Sequence, residues 1–166
     1  MTFDEIVARV REVHPEAILE AVADGTHPHV RLEPRALGDV AATLKTDPDL
    51  AFEMLHSVSG VDWPKDEQLE VVYHLFSYSR RHGIAIKVRV PRDDPKVASL
   101  TSLWSAADWH ERETYDLLGI VFTGHPHLRR ILLPEDWVGH PLRKDYQMPV
   151  EYHGAPGLGS DLGRTE

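Results

Sequence analysis

Ile84, Ile86, Val88 and Val90 alternate with Lys87 and Arg89. A period of two places the branched apolar side chains on one face and the cations on the other, which fits a half-buried strand and not a helix. Upstream, Leu69, Val71, Tyr73 and Leu75 alternate with Glu70, Val72, His74 and Phe76. Both faces of that run are largely apolar, which predicts an interior strand. With a turn at 79–83 between them, the two runs form the middle of a sheet. The rest of the chain has to supply cover for it.

The flanking segments supply that cover. Thr2 and Glu5 are spaced as a capping box, and Phe3, Ile6, Val7, Val10 and Val13 follow at helical spacing until Pro15, which predicts a helix over 3–13. Residues 17–23 lead into Asp24-Gly25, a turn signal, and Val30 and Leu32 continue beyond it as the second half of a hairpin. Pro34 suits the first turn of another helix, with Leu37, Val40, Ala41 and Leu44 as its apolar stripe. Residues 52–61 read as a strand that ends at Asp62-Trp63-Pro64. Asp93-Asp94-Pro95 reads as a helix start with the short stripe Val97, Leu100 and Leu103, then a break near Ser105 and a polar helix to Leu118. Gly119 stands where a helix C-terminus favours a left-handed residue. The order α-β-β-α-β-β-β-α-α predicts an α+β class, with two layers and a mixed sheet of about five strands carrying helices on one face.

The pattern changes at Gly119. Five of the 12 prolines (Pro126, Pro134, Pro141, Pro149 and Pro156) fall after it, and apolar runs shrink to 120–122 and 131–133. A structureless stretch of this length is improbable inside a compact domain. We therefore expect a globular domain over 1–118 and an extended, Pro-rich arm over 119–166 that orders on a partner, with the Gly-rich stretch 154–166 frayed.

Composition removes several function classes. The chain has no cysteine, which excludes disulfides, thiolate metal sites, cysteine nucleophiles and a cluster held by its own thiolates. A net charge of −9 opposes a general nucleic-acid binder, leaving an RNA-binding module on the basic, aromatic arm as a remote alternative. No run of about 18 apolar residues occurs, so no spanning helix is expected. Met1-Thr2-Phe3-Asp4-Glu5 carries acids where a secretory signal needs bases, so the chain is expected to stay in the compartment where it is made.

The 11 histidines raise a metal hypothesis. His110-Glu111-Arg112-Glu113-Thr114 begins like a zincin helix but lacks the second histidine one turn on. Glu113 and Asp116 share a helix face with Arg112 and Trp109, and a general-base pair would need its two pKa values driven apart. Arg112 beside them favours keeping both ionised, so the bland reading is a charged face that pairs internally or with another chain. No Gly-x-Ser-x-Gly elbow is present. No catalytic, cofactor-binding or metal residue is therefore assigned. A stand-alone metal-dependent hydrolase using Glu113 or Asp116 is kept as a distant alternative.

The sharpest feature is an internal echo. Gly124-His125-Pro126-His127-Leu128-Arg129-Arg130 returns as Gly139-His140-Pro141-Leu142-Arg143-Lys144, with Leu132 and Trp137 between the copies. Apolar anchors beside forked guanidinium donors are the make-up of an interface, and proline lowers the ordering cost of binding.

These residues carry a family resemblance. The run 111–122, then Gly124-His125-Pro126 with Leu128-Arg129-Arg130-Ile131-Leu132, then Trp137 with Gly139-His140-Pro141-Leu142-Arg143-Lys144-Asp145-Tyr146, resembles the C-subunit family of the proton-pumping NADH:quinone oxidoreductase, respiratory complex I. Weaker likeness extends over most of 50–146. His127 departs from the pattern, standing where the family more often has a carboxylate or amide.

The resemblance implies a non-catalytic structural and assembly subunit of the peripheral arm, on the cytoplasmic face of the membrane. The parent complex moves electrons from NADH to quinone, and holds FMN, iron–sulfur clusters and quinone, none of them on this subunit. The implied partners are the quinone-pocket subunit and the nearby iron–sulfur subunits. By resemblance, Glu111, Arg112, Glu113, Asp116, Arg129, Arg130, Arg143, Lys144 and Asp145 are assigned to docking. His125, Leu128, Trp137, His140 and Leu142 join them as interface residues from the echo and its anchors. The homologous subunit of a membrane-bound hydrogenase or another quinone-linked complex is the alternative.

Overall fold

A computed structural model of the chain describes residues 1–24 and 28–156. Helix α1 spans Phe3–Val13, and the Thr2–Glu5 capping box is present at its start, with Ile6, Val7 and Val10 buried. Strands β1 (Ile18–Val22) and β2 (His29–Leu32) pair antiparallel as the expected hairpin, whose turn residue Gly25 lies outside the described residues. A 3-10 turn at Pro34–Ala36 leads into α2 (Leu37–Thr46), with Leu37, Val40, Ala41 and Leu44 buried as the stripe predicts. Then come β3 (Met54–Trp63), β4 (Gln68–Ser77) and β5 (His82–Pro91).

The sheet order is β1-β2-β5-β4-β3. Only the β2–β5 contact is parallel, so the five strands form the mixed sheet that the element order predicts. The register brings Leu69 opposite Val90, Val71 opposite Val88, Tyr73 opposite Ile86 and Leu75 opposite Ile84. These eight side chains are buried, and they share one core with the apolar faces of α1 and α2.

The reverse face of β4 differs from the expectation. Val72 and His74 are only half-buried, and Phe76 is exposed. β4 is interior because β3 and β5 bond to both of its edges, not because both faces are covered.

A further correction concerns residues 93–106. Asp93-Asp94-Pro95 starts no helix. Lys96–Ala98 is a short strand, β6, paired parallel with β7 (Val121–Thr123), and a series of turns follows it. Val97 and Leu100 are buried as the stripe requires, but three apolar residues at spacing three fit a strand and a turn as well as a helix. Only one helix follows β5: α3, Ala107–Leu118.

Helix α3 ends at Gly119, whose φ of 77° is left-handed, with its N–H on the Tyr115 carbonyl. It lies against β3 at Gly60, where a Cβ would stand 2.2 Å from Leu118 Cδ1. The missing side chain sets the distance between helix and sheet. After α3, Ile120 and Phe122 are fully buried in the core, so the globular unit continues through β7 and the arm leaves it only after Thr123. A small hairpin, β8 (Glu151–Tyr152) with β9 (Ala155–Pro156), occupies the start of the stretch expected to fray, and residues 157–166 lie outside the described residues. Among the described residues no helix is long and apolar enough to cross a membrane.

Candidate partner interface

Helix α3 is polar in sequence yet buries its charges: Glu111, Arg112 and Asp116 are all buried. A buried ionised group requires nearby donors or counter-charges. The arm provides them for Arg112 and Asp116 by folding back along the helix, and residues 99 and 100 provide them for Glu111.

Asp116 is the centre of that contact. One carboxylate oxygen, Oδ2, accepts the backbone N–H groups of Ile131, Leu132 and Leu133 at 3.0, 2.8 and 3.0 Å. The other, Oδ1, accepts Arg130 Nη1 at 2.8 Å. Burial pushes this carboxyl up, but the three backbone donors and Arg130 outweigh it and hold it below the usual carboxylate range. Arg130 extends the contact by donating to the carbonyls of Trp137 and Gly139.

The echoed Gly-His-Pro turns now have a structural reason. Both glycines are left-handed, Gly124 at φ 82° and Gly139 at 84°. Each following imidazole reaches a carbonyl of α3: His125 Nε2 the Asp108 oxygen at 3.3 Å, and His140 Nδ1 the Asp116 oxygen at 2.9 Å. Asp108 and Asp116 stand about 12 Å apart along the axis. The two copies therefore clamp the two ends of one helix. The His127 N–H donates to His125 Nδ1, which assigns the His125 proton to Nε2, whereas the bond of His140 assigns its proton to Nδ1. Burial, with Arg143 and Arg130 nearby, lowers the His140 pKa and favours the neutral ring.

The second copy also closes the helix end. Arg143 Nε donates to the Leu118 carbonyl at 2.8 Å, and the Leu142 N–H to the Leu117 carbonyl at 3.0 Å. Gly119 is required beneath it, since a Cβ there would lie 2.6 Å from His140 Nε2.

Further on, the arm is tied to the sheet. The Asp62 carboxylate accepts Arg92 at 2.9 and 3.1 Å and the Lys144 backbone N–H at 2.7 Å, while Arg92 also pairs with Asp145. Asp62 and Arg92 were not singled out in the sequence as site residues. Asp62 is 82 positions from Lys144, and no local pattern records such a contact.

The remaining interface candidates divide by exposure. Glu111 is turned inward, accepting Ser99 Oγ at 2.6 Å and the Leu100 N–H at 2.7 Å, and burial raises its pKa despite both bonds. Arg112 lies over the Trp109 ring at 4.8 Å and donates to the Arg129 carbonyl. Leu128 packs partly against the core, and Trp137 is half-buried with its ring 5.0 Å from Tyr152. Glu113, Arg129 and Lys144 are exposed, and their side chains form no ion pair among the described residues.

Beside these charges stand large exposed apolar side chains: Trp109, Leu132, Val138 and Leu142, which are 63%, 59%, 81% and 54% exposed. Trp109, Leu132 and Leu142 stood out in the sequence; Val138 did not. The arrangement offers apolar anchors on a frame held by internal polar contacts. Among the described residues no three histidine, aspartate or glutamate side chains are grouped so as to hold a metal ion.

Comparison with known proteins agrees with this architecture. The family described as respiratory-chain NADH dehydrogenase, 30 Kd subunit, matches residues 30–152. The NADH-quinone oxidoreductase C-subunit of Roseiflexus castenholzii is 47% identical over 147 residues, covering 88% of this chain and 84% of that protein. The C-subunit of Mycolicibacterium gilvum is 45% identical, covering 92% and 72%.

Among solved structures, a chain of the archaeal membrane-bound sulfane sulfur reductase, a respiratory membrane complex, superposes with a TM-score of 0.73 at 27% identity, covering 87% of this chain and 85% of that one. The trypsin-resistant fragment 1–134 of Nqo5 superposes with a TM-score of 0.64 at 29% identity, covering 77% of this chain and all of the fragment. The relatives at 45–47% identity bear the NADH-quinone oxidoreductase name, which favours that branch over the sulfur-reducing one. The chain belongs to the respiratory-chain NADH dehydrogenase 30 kDa subunit family, the C-subunit of NADH-quinone oxidoreductase.

Proposed function

We infer that this chain is a non-catalytic structural subunit of the peripheral arm of NADH-quinone oxidoreductase, and that the α3–arm face is its docking surface. The observation that carries this reading is the set of exposed apolar side chains Trp109, Leu132, Val138 and Leu142 on α3 and the arm that folds back on it, on a frame whose buried charges are satisfied within the chain. Large exposed apolar side chains concentrated on one segment mark an interaction site. The partners are the quinone-pocket subunit and the neighbouring iron–sulfur subunits, on the cytoplasmic face of the membrane. FMN, clusters and quinone belong to other parts of the parent complex and not to this chain. These side chains bind by apolar burial, with the exposed charges Arg129, Lys144 and Glu113 steering the encounter.

The test is complementation of a strain lacking this subunit with Leu142→Asp or Val138→Asp. Both side chains are exposed, so the free chain should melt as wild type does, while the assembled complex on a native gel should fall at least ten-fold. Normal assembly with normal quinone reductase activity in both variants would refute this docking face.

A further inference from the structure

On the sheet face away from α3, Arg31 of β2 and Lys87 of β5 are in register in the parallel pair. Their backbones are about 4.8 Å apart. Arg31 has a carboxylate partner in Glu20, at 3.0 Å. Arg89, the next cation of β5 on this face, is held by Glu70 at 2.8 Å and Asp66 at 3.5 Å. Lys87 forms no ion pair among the described residues. In a chain of net charge −9, Lys87 is thus a cation without a counter-charge in register with a second cation, and like charges in register repel.

Along the same strands the face turns apolar. Met54, Phe76 and Tyr78, with Pro28 and Ala85, line an open cleft of about 450 Å³ that His56 and His74 border. Phe76 and Tyr78 are 37% and 63% exposed and stand edge to face at 5.1 Å. Tyr78 is fixed at both ends: its N–H donates to Glu53 at 2.9 Å and its hydroxyl to Met54 Sδ at 2.8 Å. The cleft is therefore preorganised, which lowers the cost of binding. Lys87 pairs across the sheet with Val72, four positions from Phe76 on β4, so cleft and cation are about 13 Å apart.

We propose that this face is a second docking surface, and that its occupant is a segment of another protein chain carrying an aliphatic or aromatic side chain and a carboxylate about four extended residues away. The side chain fills the cleft of Met54, Phe76 and Tyr78, and the carboxylate pairs with Lys87, the cation on this face that has no carboxylate of its own among the described residues. The surface lies on the opposite side of the sheet from α3, so the chain is held between two contacts and not by one.

Hydroxyl-radical footprinting of the free full-length chain and of the affinity-isolated complex tests this. Labelling of Met54, Phe76 and Tyr78 should fall at least ten-fold on assembly, and equal labelling in the two states overturns the proposal. Trp109 and Leu142, read in the same experiment, report the α3–arm face separately. A benzophenone amino acid replacing Tyr78 then identifies the covering segment. The expected crosslink is to a partner segment with Asp or Glu about four residues from the captured position. A crosslink to a second copy of this chain, or to a segment without such an acid, overturns it. Lys87→Glu should leave the melting of the free chain unchanged and reduce that crosslink ten-fold; an undiminished crosslink removes the charge argument.

Discussion

Asp116→Asn tests the arm contact at its centre. The substitution keeps the shape of the side chain and replaces one acceptor oxygen with a donor. On one side of the carboxylate stands Arg130, on the other the three N–H groups of 131–133. Every neighbour on both sides is a donor, so either amide orientation leaves donors facing donors. Arg130, whose side chain is only 17% exposed, also loses its counter-charge. Removing one partner of a buried pair costs about 3–5 kcal/mol.

Because the contact joins the arm to α3, the loss should appear as local opening and not as global unfolding. At 1.4 kcal/mol per factor of ten, 3 kcal/mol raises the open population roughly 100-fold. Amide hydrogen exchange by NMR should show Ile131, Leu132 and Leu133 exchanging at least that much faster, with the amides of β4 and β5 unchanged. Unaltered protection at 131–133 would mean that Asp116 does not hold the arm.

The same carboxylate predicts a pH response. Its folded pKa is depressed, so its contribution is complete above the unfolded value of about 3.9 and is lost as pH falls through the lower folded value; the Asp116 carboxyl carbon, followed by NMR, should titrate below 3.9. Glu111 has the opposite sign, because burial raises its folded pKa and penalises the ionised form. Glu111→Gln retains an acceptor for Leu100 N–H and gains a donor for Ser99 Oγ, so thermal unfolding should place it within about 1 kcal/mol of wild type; a loss of several kcal/mol would show the charge itself to be needed. Gly60→Ala puts a methyl 2.2 Å from Leu118 Cδ1 and should cost about 1–3 kcal/mol, read as a lower Tm; an unchanged Tm would show that α3 is not seated on β3 at this point.

The elements that sequence locates well are those whose pattern is local. The capping box of α1, the stripe of α2 and the alternation of β5 each occupy one element and need no distant partner to be read. The errors arise where the deciding contact is remote. Residues 96–98 become a strand because 121–123 pair with them, and three apolar residues could not signal that. Ile120 and Phe122 looked like the beginning of the arm, yet their side chains complete the core.

The interface shows the same division. The Gly-His-Pro echo was visible, and so were Trp137 and the paired bases. Their immediate targets were not: the carbonyls of Asp108 and Asp116 and the carboxylate of Asp62 are reached only after the chain has turned back. Sequence motifs thus singled out the arm, while the fold shows that much of its charge fastens the arm to this chain and that Leu132, Val138 and Leu142 are exposed.

The central claim is that this chain is a docked subunit of NADH-quinone oxidoreductase. The most direct measurement is gentle-detergent isolation of the tagged full chain from its own cells, with mass spectrometry of what accompanies it. The account predicts stoichiometric recovery of the quinone-pocket subunit, the iron–sulfur subunits and a flavin-bearing NADH-oxidising module. Recovery of the chain alone, or with a hydrogenase-type or sulfur-reducing core in place of the NADH module, would contradict it.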